Sequence, residues 1–115
     1  PSSILLSLMA SGFNGQNFCF LGYLPIDKGA RTKKIKDIEQ ESARDKRTQI
    51  FIETPFRNNQ LLSELLKTAK PQTQLCIACN ITADDEYIYT QTIEKWRNQP
   101  IDLHKKPCIF LLFAG

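Results

Sequence analysis

Hydrophobic residues recur at two different spacings along this chain, and the alternation of those spacings predicts an α/β fold. The clearest helical stripe lies between Asn58 and Ala69, where leucines occupy positions 61, 62, 65 and 66. The segment from Gln74 to Asn80 is apolar throughout, as expected for a central strand. The same reasoning predicts strands at 18–23, 48–54, 87–92 and 108–113, and further helices that begin at Ser2 or Ser3, at 30 and at 93.

Because predicted strands and helices alternate, we expect a layered α/β domain around a five-stranded mixed sheet flanked by helices. A chain of 115 residues lies within the usual size range of a single domain, which predicts one domain spanning 1–115. The proportions of hydrophobic (42%) and charged (23%) residues are those of a folded chain rather than a disordered one.

No membrane segment is predicted, because the longest apolar run, residues 108–114, is far shorter than the roughly 20 residues that span a bilayer. The apolar residues 3–10 are preceded by no basic stretch and are followed by a turn at Gly12, which is unlike a signal peptide. We therefore predict a cytoplasmic location and no membrane partner.

The four cysteines, Cys19, Cys76, Cys79 and Cys108, all lie in apolar, strand-like segments and are predicted to be buried thiols. Cys76 and Cys79 have the spacing of a CxxC motif, so a zinc or redox site is the alternative. A zinc site would need a second pair of ligands and a redox motif would open a helix. We predict no metal.

The net charge of +3 is unevenly placed, because Arg31, Lys33, Lys34 and Lys36 fall within six residues. One interpretation is a solvated helix face, and the other is a surface that binds an anionic partner. Charge alone does not decide between them.

Polar residues cluster where the predicted strands end. Glu53 and Thr54 close the second strand, Asn80 to Thr82 close the third, and Lys105 to Pro107 open the fifth. Ligands of open α/β sheets bind outside the carboxyl ends of strands, although Asn, Thr and Pro also end strands for reasons of turn chemistry. Residues Asp84 to Glu86 are interpreted as a solvated loop, with a metal cluster as the alternative.

Several segments together resemble the carboxy-terminal domain of the tetrapyrrole-methylase superfamily of S-adenosylmethionine-dependent methyltransferases, in the branch that methylates a ribose 2′-hydroxyl of ribosomal RNA. Pro1-Ser2-Ser3 is similar to the hinge between that family's two domains. Phe20-Leu21-Gly22-Tyr23-Leu24-Pro25 and Lys28-Gly29-Ala30-Arg31 resemble its F-x-G-F-L-P and K-G-A-R segments. Glu53-Thr54-Pro55-Phe56-Arg57 resembles E-S/T-P-H/Y-R, and Lys106-Pro107 with the strand after it resembles the closing strand.

The chain departs from that branch at three places. Ala83 stands where the branch has a lysine, Phe56 stands where it has His or Tyr, and Pro107-Cys108 replaces Gly-Glu. A changed substrate is therefore an alternative, either a small tetrapyrrole-like molecule or RNA that a paralogue binds without methylating it.

The resemblance implies that this chain supplies one wall of a donor cleft and that an amino-terminal domain, absent here, supplies a Gly-rich loop. It implies a homodimer, RNA as partner, and an isolated chain that is inactive. The residues implied to bind S-adenosylmethionine are Pro1, Ser2, Ser3, Glu53, Thr54, Asn80, Ile81, Pro107 and Cys108. Those expected to contact RNA are Lys28, Arg31, Lys33, Lys34, Lys36 and Arg57, and Glu53 and Glu86 are candidates for a general base.

Overall fold

The computed structural model describes residues 3–115, so Pro1 and Ser2 of the expected hinge lie outside it. The five predicted strands and four predicted helices are all present. The elements are α1 (Ser3–Ser11), β1 (Phe18–Tyr23), α2 (Lys28–Asp45), β2 (Thr48–Ile52), a 3-10 helix (Pro55–Arg57), α3 (Asn58–Thr68), β3 (Gln74–Cys79), β4 (Tyr87–Thr92), α4 (Ile93–Arg97) and β5 (Cys108–Phe113).

The strands form one sheet in the order β1-β2-β5-β3-β4. β1 and β2 are parallel, whereas β5 lies between β2 and β3 and is antiparallel to both. β4 is antiparallel to β3. The prediction of a five-stranded mixed sheet is therefore confirmed. Because β1, β2 and β3 run in the same direction, their carboxyl ends lie along the same edge of the sheet, the one at which these strands end.

The two faces of the sheet are covered very differently. On one face a large core includes Ile35, Leu65 and Trp96, contributed by α2, α3 and α4. On the other face α1 supplies Leu8 to a small core that includes Ile50 and Leu111. Three helices thus cover the first face and one short helix covers the second.

Two boundaries differ from the predicted ones for local reasons. α2 begins at Lys28 rather than Ala30, because the Asp27 side chain accepts a hydrogen bond from the Ala30 N–H at 2.9 Å and caps the helix. β2 ends at Ile52, and Pro55 begins a 3-10 turn that hydrophobic spacing did not predict.

The expectation of four free thiols is wrong for Cys79 and Cys108, which form a disulfide. These residues are direct partners in the antiparallel pairing of β3 with β5, and their Cα atoms lie 4.2 Å apart. Directly opposed residues of an antiparallel pair bring their Cβ atoms close together. Cys19 and Cys76 are free, and Cys76 is buried as predicted.

Within residues 3–115 no helix is both long enough and apolar enough to cross a membrane. Over the same residues no group of three or more His, Cys, Asp and Glu side chains is placed to hold a metal ion.

We predict that the two free cysteines react with alkylating reagents at different rates. Burial raises the pKa of the Cys76 thiol, so it holds less of the reactive thiolate near pH 8 than an ordinary cysteine. Iodoacetamide labelling followed by peptide mass spectrometry should therefore modify the half-buried Cys19 well before Cys76. In denaturant the two rates should become similar, and equal rates in the folded chain would contradict this prediction.

Candidate functional site

A cavity of about 500 Å³ opens at the sheet edge where β2 and β3 end and β5 begins. It lies toward the α1 face, because it is bordered by Ile81 and Ile109, which pack against the small core there. Its lining consists of Ser3, Ile52, Glu53, Pro55, Asn80, Ile81, Ala83, Pro107, Cys108 and Ile109. We refer to this space as the edge cavity.

Most of the residues expected to hold a methyl donor meet in the edge cavity. Ser3, Glu53, Asn80, Ile81, Pro107 and Cys108 all line it. Thr54 does not line it. Thr54 instead borders a neighbouring cavity of about 410 Å³ together with Tyr23 and Arg57. Pro1 and Ser2 lie outside the described residues. The structure thus brings together segments that are up to 105 residues apart in sequence.

The wall between β3 and β5 is held by a backbone contact. The Asn80 N–H donates to the Pro107 carbonyl at 3.0 Å, one position beyond the last strand pair. Asn80 adopts a left-handed conformation (φ 53°), which turns the chain sharply away from the strand. Its side-chain amide donates to Asp85 at 3.0 Å. The polar rim of the cavity is therefore fixed by main-chain geometry.

Size and lining together make the edge cavity suitable for a nucleoside-like ligand. Its volume falls within the range of about 300–1,000 Å³ typical of small-molecule sites, and its walls are mainly isoleucine and proline. A few polar groups, those of Ser3, Glu53 and Asn80, stand among the apolar residues. Such a lining would accept the adenosine part of S-adenosylmethionine, so the residues present fit the expected donor.

The structure buries Arg31, which was expected to contact RNA from an exposed helix face. Its side chain is fully buried, with Nη1 3.1 Å from Glu64 Oε2 and Nη2 3.4 Å from Glu53 Oε2. Its Nε donates to the Pro25 carbonyl at 2.9 Å. The guanidinium is thus used entirely inside the domain, where it joins α2 to the end of β2 and to α3.

Of the two candidate bases, Glu53 is held in place by hydrogen bonds to both of its carboxylate oxygens. Its Oε1 accepts the Thr54 N–H at 2.7 Å and the Arg57 Nε at 3.4 Å, while Oε2 faces Arg31. Both carboxylate oxygens are therefore occupied by donors from the domain itself, and the side chain closes the strand. Glu86 is exposed, and its Oε1 accepts the Thr82 N–H at 2.8 Å. It borders a separate cavity of about 260 Å³.

The residues expected to contact RNA differ in their exposure and surroundings. Lys28 and Lys33 are exposed, and Lys34 is half-exposed. Lys36 lines a cavity of about 730 Å³ beside Gln74 and Phe113, at the end of the strands opposite the edge cavity. Of the six, Arg57 alone belongs to the 3-10 helix whose Pro55 lines the edge cavity.

Sequence reasoning assigned no binding role to residues 102–106, the turn that leads to Pro107 in the wall of the edge cavity. The Lys105 N–H donates to the Pro55 carbonyl at 3.1 Å, so this turn lies against the 3-10 helix. His104, Lys105 and Lys106 are all exposed there. The consecutive basic residues were the available signal, but their neighbours come from a segment some 50 positions earlier.

Comparison with known proteins relates the chain to ribosomal RNA methyltransferases. It is 30% identical over 118 residues to ribosomal RNA small subunit methyltransferase I of Buchnera aphidicola subsp. Schizaphis graminum, matching 100% of this chain and 40% of that protein. The protein of the same description from Vibrio cholerae is 32% identical over 88 residues, which cover 76% of this chain and 29% of the relative. The chain is homologous to ribosomal RNA small subunit methyltransferase I. It spans less than half the length of these relatives, and no protein-family model matches it.

Solved structures show where this fold occurs. The methyltransferase CobJ superposes with a TM-score of 0.60 at 16% identity, over 97% of this chain and 47% of CobJ. Cobalt precorrin-4 methyltransferase CbiF superposes with a TM-score of 0.60 at 14% identity, over 97% of this chain and 48% of CbiF. The five-stranded sheet with its helices therefore corresponds to about half of a tetrapyrrole methylase chain, which confirms the expected resemblance.

Replacing Arg31 with alanine should strongly destabilise the domain. Removing the guanidinium leaves Glu64 buried without a counter-charge and leaves Glu53 with only the partly exposed Arg57, and breaking a buried pair in this way typically costs about 3–5 kcal/mol. Urea denaturation should show this loss in the free energy of unfolding.

Arg57→Ala is the matched control for Arg31→Ala, because Arg57 pairs with the same carboxylate but its side chain is 40% exposed. Its loss should cost about 1 kcal/mol or less. Equal destabilisation by the two substitutions would show that Arg31 has no special role.

Proposed function

We propose that this chain is part of an S-adenosylmethionine-dependent methyltransferase that acts on ribosomal RNA, with a ribose 2′-hydroxyl as the acceptor. In this proposal the edge cavity is one wall of the donor cleft. The observation that carries it is the meeting of Ser3, Glu53, Asn80, Ile81, Pro107 and Cys108 around one cavity. Sequence identity of 30% to a ribosomal RNA methyltransferase, over the whole length of this chain, supports the same conclusion.

The residues that line the edge cavity would bind and orient the donor rather than perform acid–base chemistry. Ile52, Ile81 and Ile109 give the cavity apolar walls, which would exclude water from a bound nucleoside. Asn80, with its backbone fixed by the contact to Pro107, would present a polar group at a defined place. Holding two reactants in the right geometry can itself supply much of the rate enhancement.

S-adenosylmethionine, when bound, supplies a methyl group on an already reactive sulfonium. That chemistry requires little of the protein beyond alignment of the acceptor oxygen with the methyl group. This agrees with the contacts of Glu53, whose carboxylate is tied to Arg31, Thr54 and Arg57. Under this proposal Glu53 shapes the site, and Glu86 remains the candidate base.

We propose further that the cleft is completed by an amino-terminal domain carrying a Gly-rich loop, and that the enzyme is a homodimer. The support is that the relatives and solved structures extend well beyond the matched part. The sparse cover on the α1 face leaves apolar side chains such as Phe20 and Met9 exposed, which would suit contact with further protein.

The full-length protein that contains this chain should bind S-adenosylmethionine and methylate small-subunit ribosomal RNA. Ile81→Arg would place a charged side chain in the edge cavity and should weaken donor binding at least about tenfold, or roughly 1.4 kcal/mol, by calorimetry. Ile26→Arg is the matched control, because Ile26 is 67% exposed and lies outside the edge cavity.

No measurable donor affinity in the full-length protein would reject this function. Donor binding with methyl transfer to a tetrapyrrole but not to RNA would favour a small-molecule enzyme. RNA binding without methyl transfer to any RNA would favour a non-catalytic paralogue.

The isolated 115-residue chain should self-associate, because Phe18 and Phe20 of β1 are exposed beside the thinly covered face. Sedimentation at increasing concentration should show dimers or larger species, and Phe20→Lys should shift the distribution toward monomer. A profile that stays monomeric at high concentration would contradict this expectation.

A further inference from the structure

An exposed aromatic pair lies on the two turns that contribute Pro55 and Pro107 to the edge cavity. The rings of Phe56 and His104 lie 5.7 Å apart between centroids, with an interplanar angle of 68°. Phe56 is 69% exposed, so its ring contributes little to the core. A large apolar side chain held in solvent is the kind of feature that marks a binding surface when polar groups surround it.

The two turns that carry these rings are fastened to each other. Besides the contact from Lys105 to Pro55, the Asn58 side-chain amide donates to the carbonyls of Leu103 at 3.3 Å and Lys106 at 2.6 Å. Asn58 is fully buried, so these bonds are shielded from water. The ring pair therefore sits on a rigid support rather than on a mobile loop.

That support also borders the proposed donor site. Pro55 precedes Phe56 and Pro107 follows Lys106, and both prolines line the edge cavity. The turns that carry the rings thus also contribute to the wall of the cavity. An RNA bound on these turns would come close to a methyl donor in the cavity, as an acceptor must.

The surroundings of the ring pair are cationic at the surface. Lys105 and Lys106 are exposed and Arg57 is partly exposed. Glu53 is buried under Arg31 and Arg57. Asp102 is exposed and accepts from the Asn59 side chain at 2.9 Å and the His104 N–H at 3.0 Å, so its carboxylate stays beside the rings. Lys105, Lys106 and Arg57 outnumber this carboxylate at the surface.

We propose that Phe56 and His104 form a stacking platform for an unpaired base of an RNA substrate, with Arg57, Lys105 and Lys106 contacting its phosphates. The inference rests on the proposed function, because it assigns the acceptor side of the same site. Aromatic rings beside cationic side chains are the combination that binds single-stranded RNA, since every base offers a face for stacking. A duplex would not use the platform, because its bases are already stacked.

The test uses the full-length protein, a fluorescent unstructured RNA of about 12 nucleotides and fluorescence anisotropy. Phe56→Ala should weaken binding about 5- to 100-fold, the effect of losing one stacked base, while Phe56→Tyr retains most of the affinity. Tyr89→Ala is the matched control, because Tyr89 is also an exposed aromatic residue but lies in the middle of the edge strand β4. Binding to an RNA duplex should be unchanged by Phe56→Ala.

Lys105→Ala tests the phosphate contacts separately. It should reduce the slope of log affinity against log salt concentration by about 0.7, the value for one contact to a single strand. The Lys105 main-chain bond to Pro55 remains in this variant, so the support for the rings is kept.

Donor affinity of each variant, measured by calorimetry, distinguishes the two proposals. Unchanged RNA affinity in Phe56→Ala, with donor binding intact, would overturn the platform and leave the methyltransferase proposal standing. A wild-type protein that binds RNA through Phe56 but has no donor affinity would support the platform and reject the methyltransferase. Equal loss of single-stranded and duplex binding in Phe56→Ala would also overturn the platform.

Discussion

The buried ion cluster of Arg31, Glu53 and Glu64 is the interaction on which the geometry of the candidate site depends. A charge removed from water is tolerated only when its partners are positioned to compensate it. Here Arg31 belongs to α2, and its two acidic partners come from the end of β2 and from α3. The Pro25 carbonyl, which accepts from Arg31, adds a fourth segment. The cluster therefore fixes the place of Glu53, and with it the turn that borders the edge cavity.

The other half of α2 is fastened by a different set of polar contacts. Glu39 Oε2 accepts the Lys70 N–H at 2.8 Å and the Thr73 hydroxyl at 2.6 Å, which holds the connection from α3 to β3. The Ser42 hydroxyl accepts the Ala114 N–H at 2.8 Å, just beyond β5. α2 therefore makes polar contacts at both ends of the strands. The candidate site lies at one of these ends.

Hydrophobic spacing was sufficient to predict every strand and α-helix, though not the 3-10 helix, because alternation and helical stripes record which side of an element is buried. It could not predict which charged residues are buried. Arg31 lies in a basic run with Lys33 and Lys34, and only the approach of two acids from distant segments explains its burial. The disulfide was not predicted for a similar reason. Cys79 and Cys108 meet only through the register of β3 with β5, and they are 29 residues apart in sequence.

The candidate site was predictable to the extent that its residues end strands. Asn80 could be assigned to a ligand site from the sequence, since ligands gather where strands finish, whereas Pro107 was assigned to it through the family resemblance. The pairing of Phe56 with His104 could not, because it depends on side-chain hydrogen bonds from Asn58 that leave no trace in hydrophobic spacing. Long-range polar contacts thus account for what the sequence left undetermined.

The position of β5 in the sheet has a consequence for synthesis on the ribosome. The last strand of the sheet in chain order lies at its centre, between β2 and β3. A nascent chain that has emerged only as far as β4 has two separate strand pairs, β1 with β2 and β3 with β4, each presenting an unpaired backbone edge. Until Cys108 to Phe113 have left the exit tunnel, those edges remain open to wrong partners. The domain is therefore most vulnerable to aggregation between the emergence of β4 and the emergence of β5.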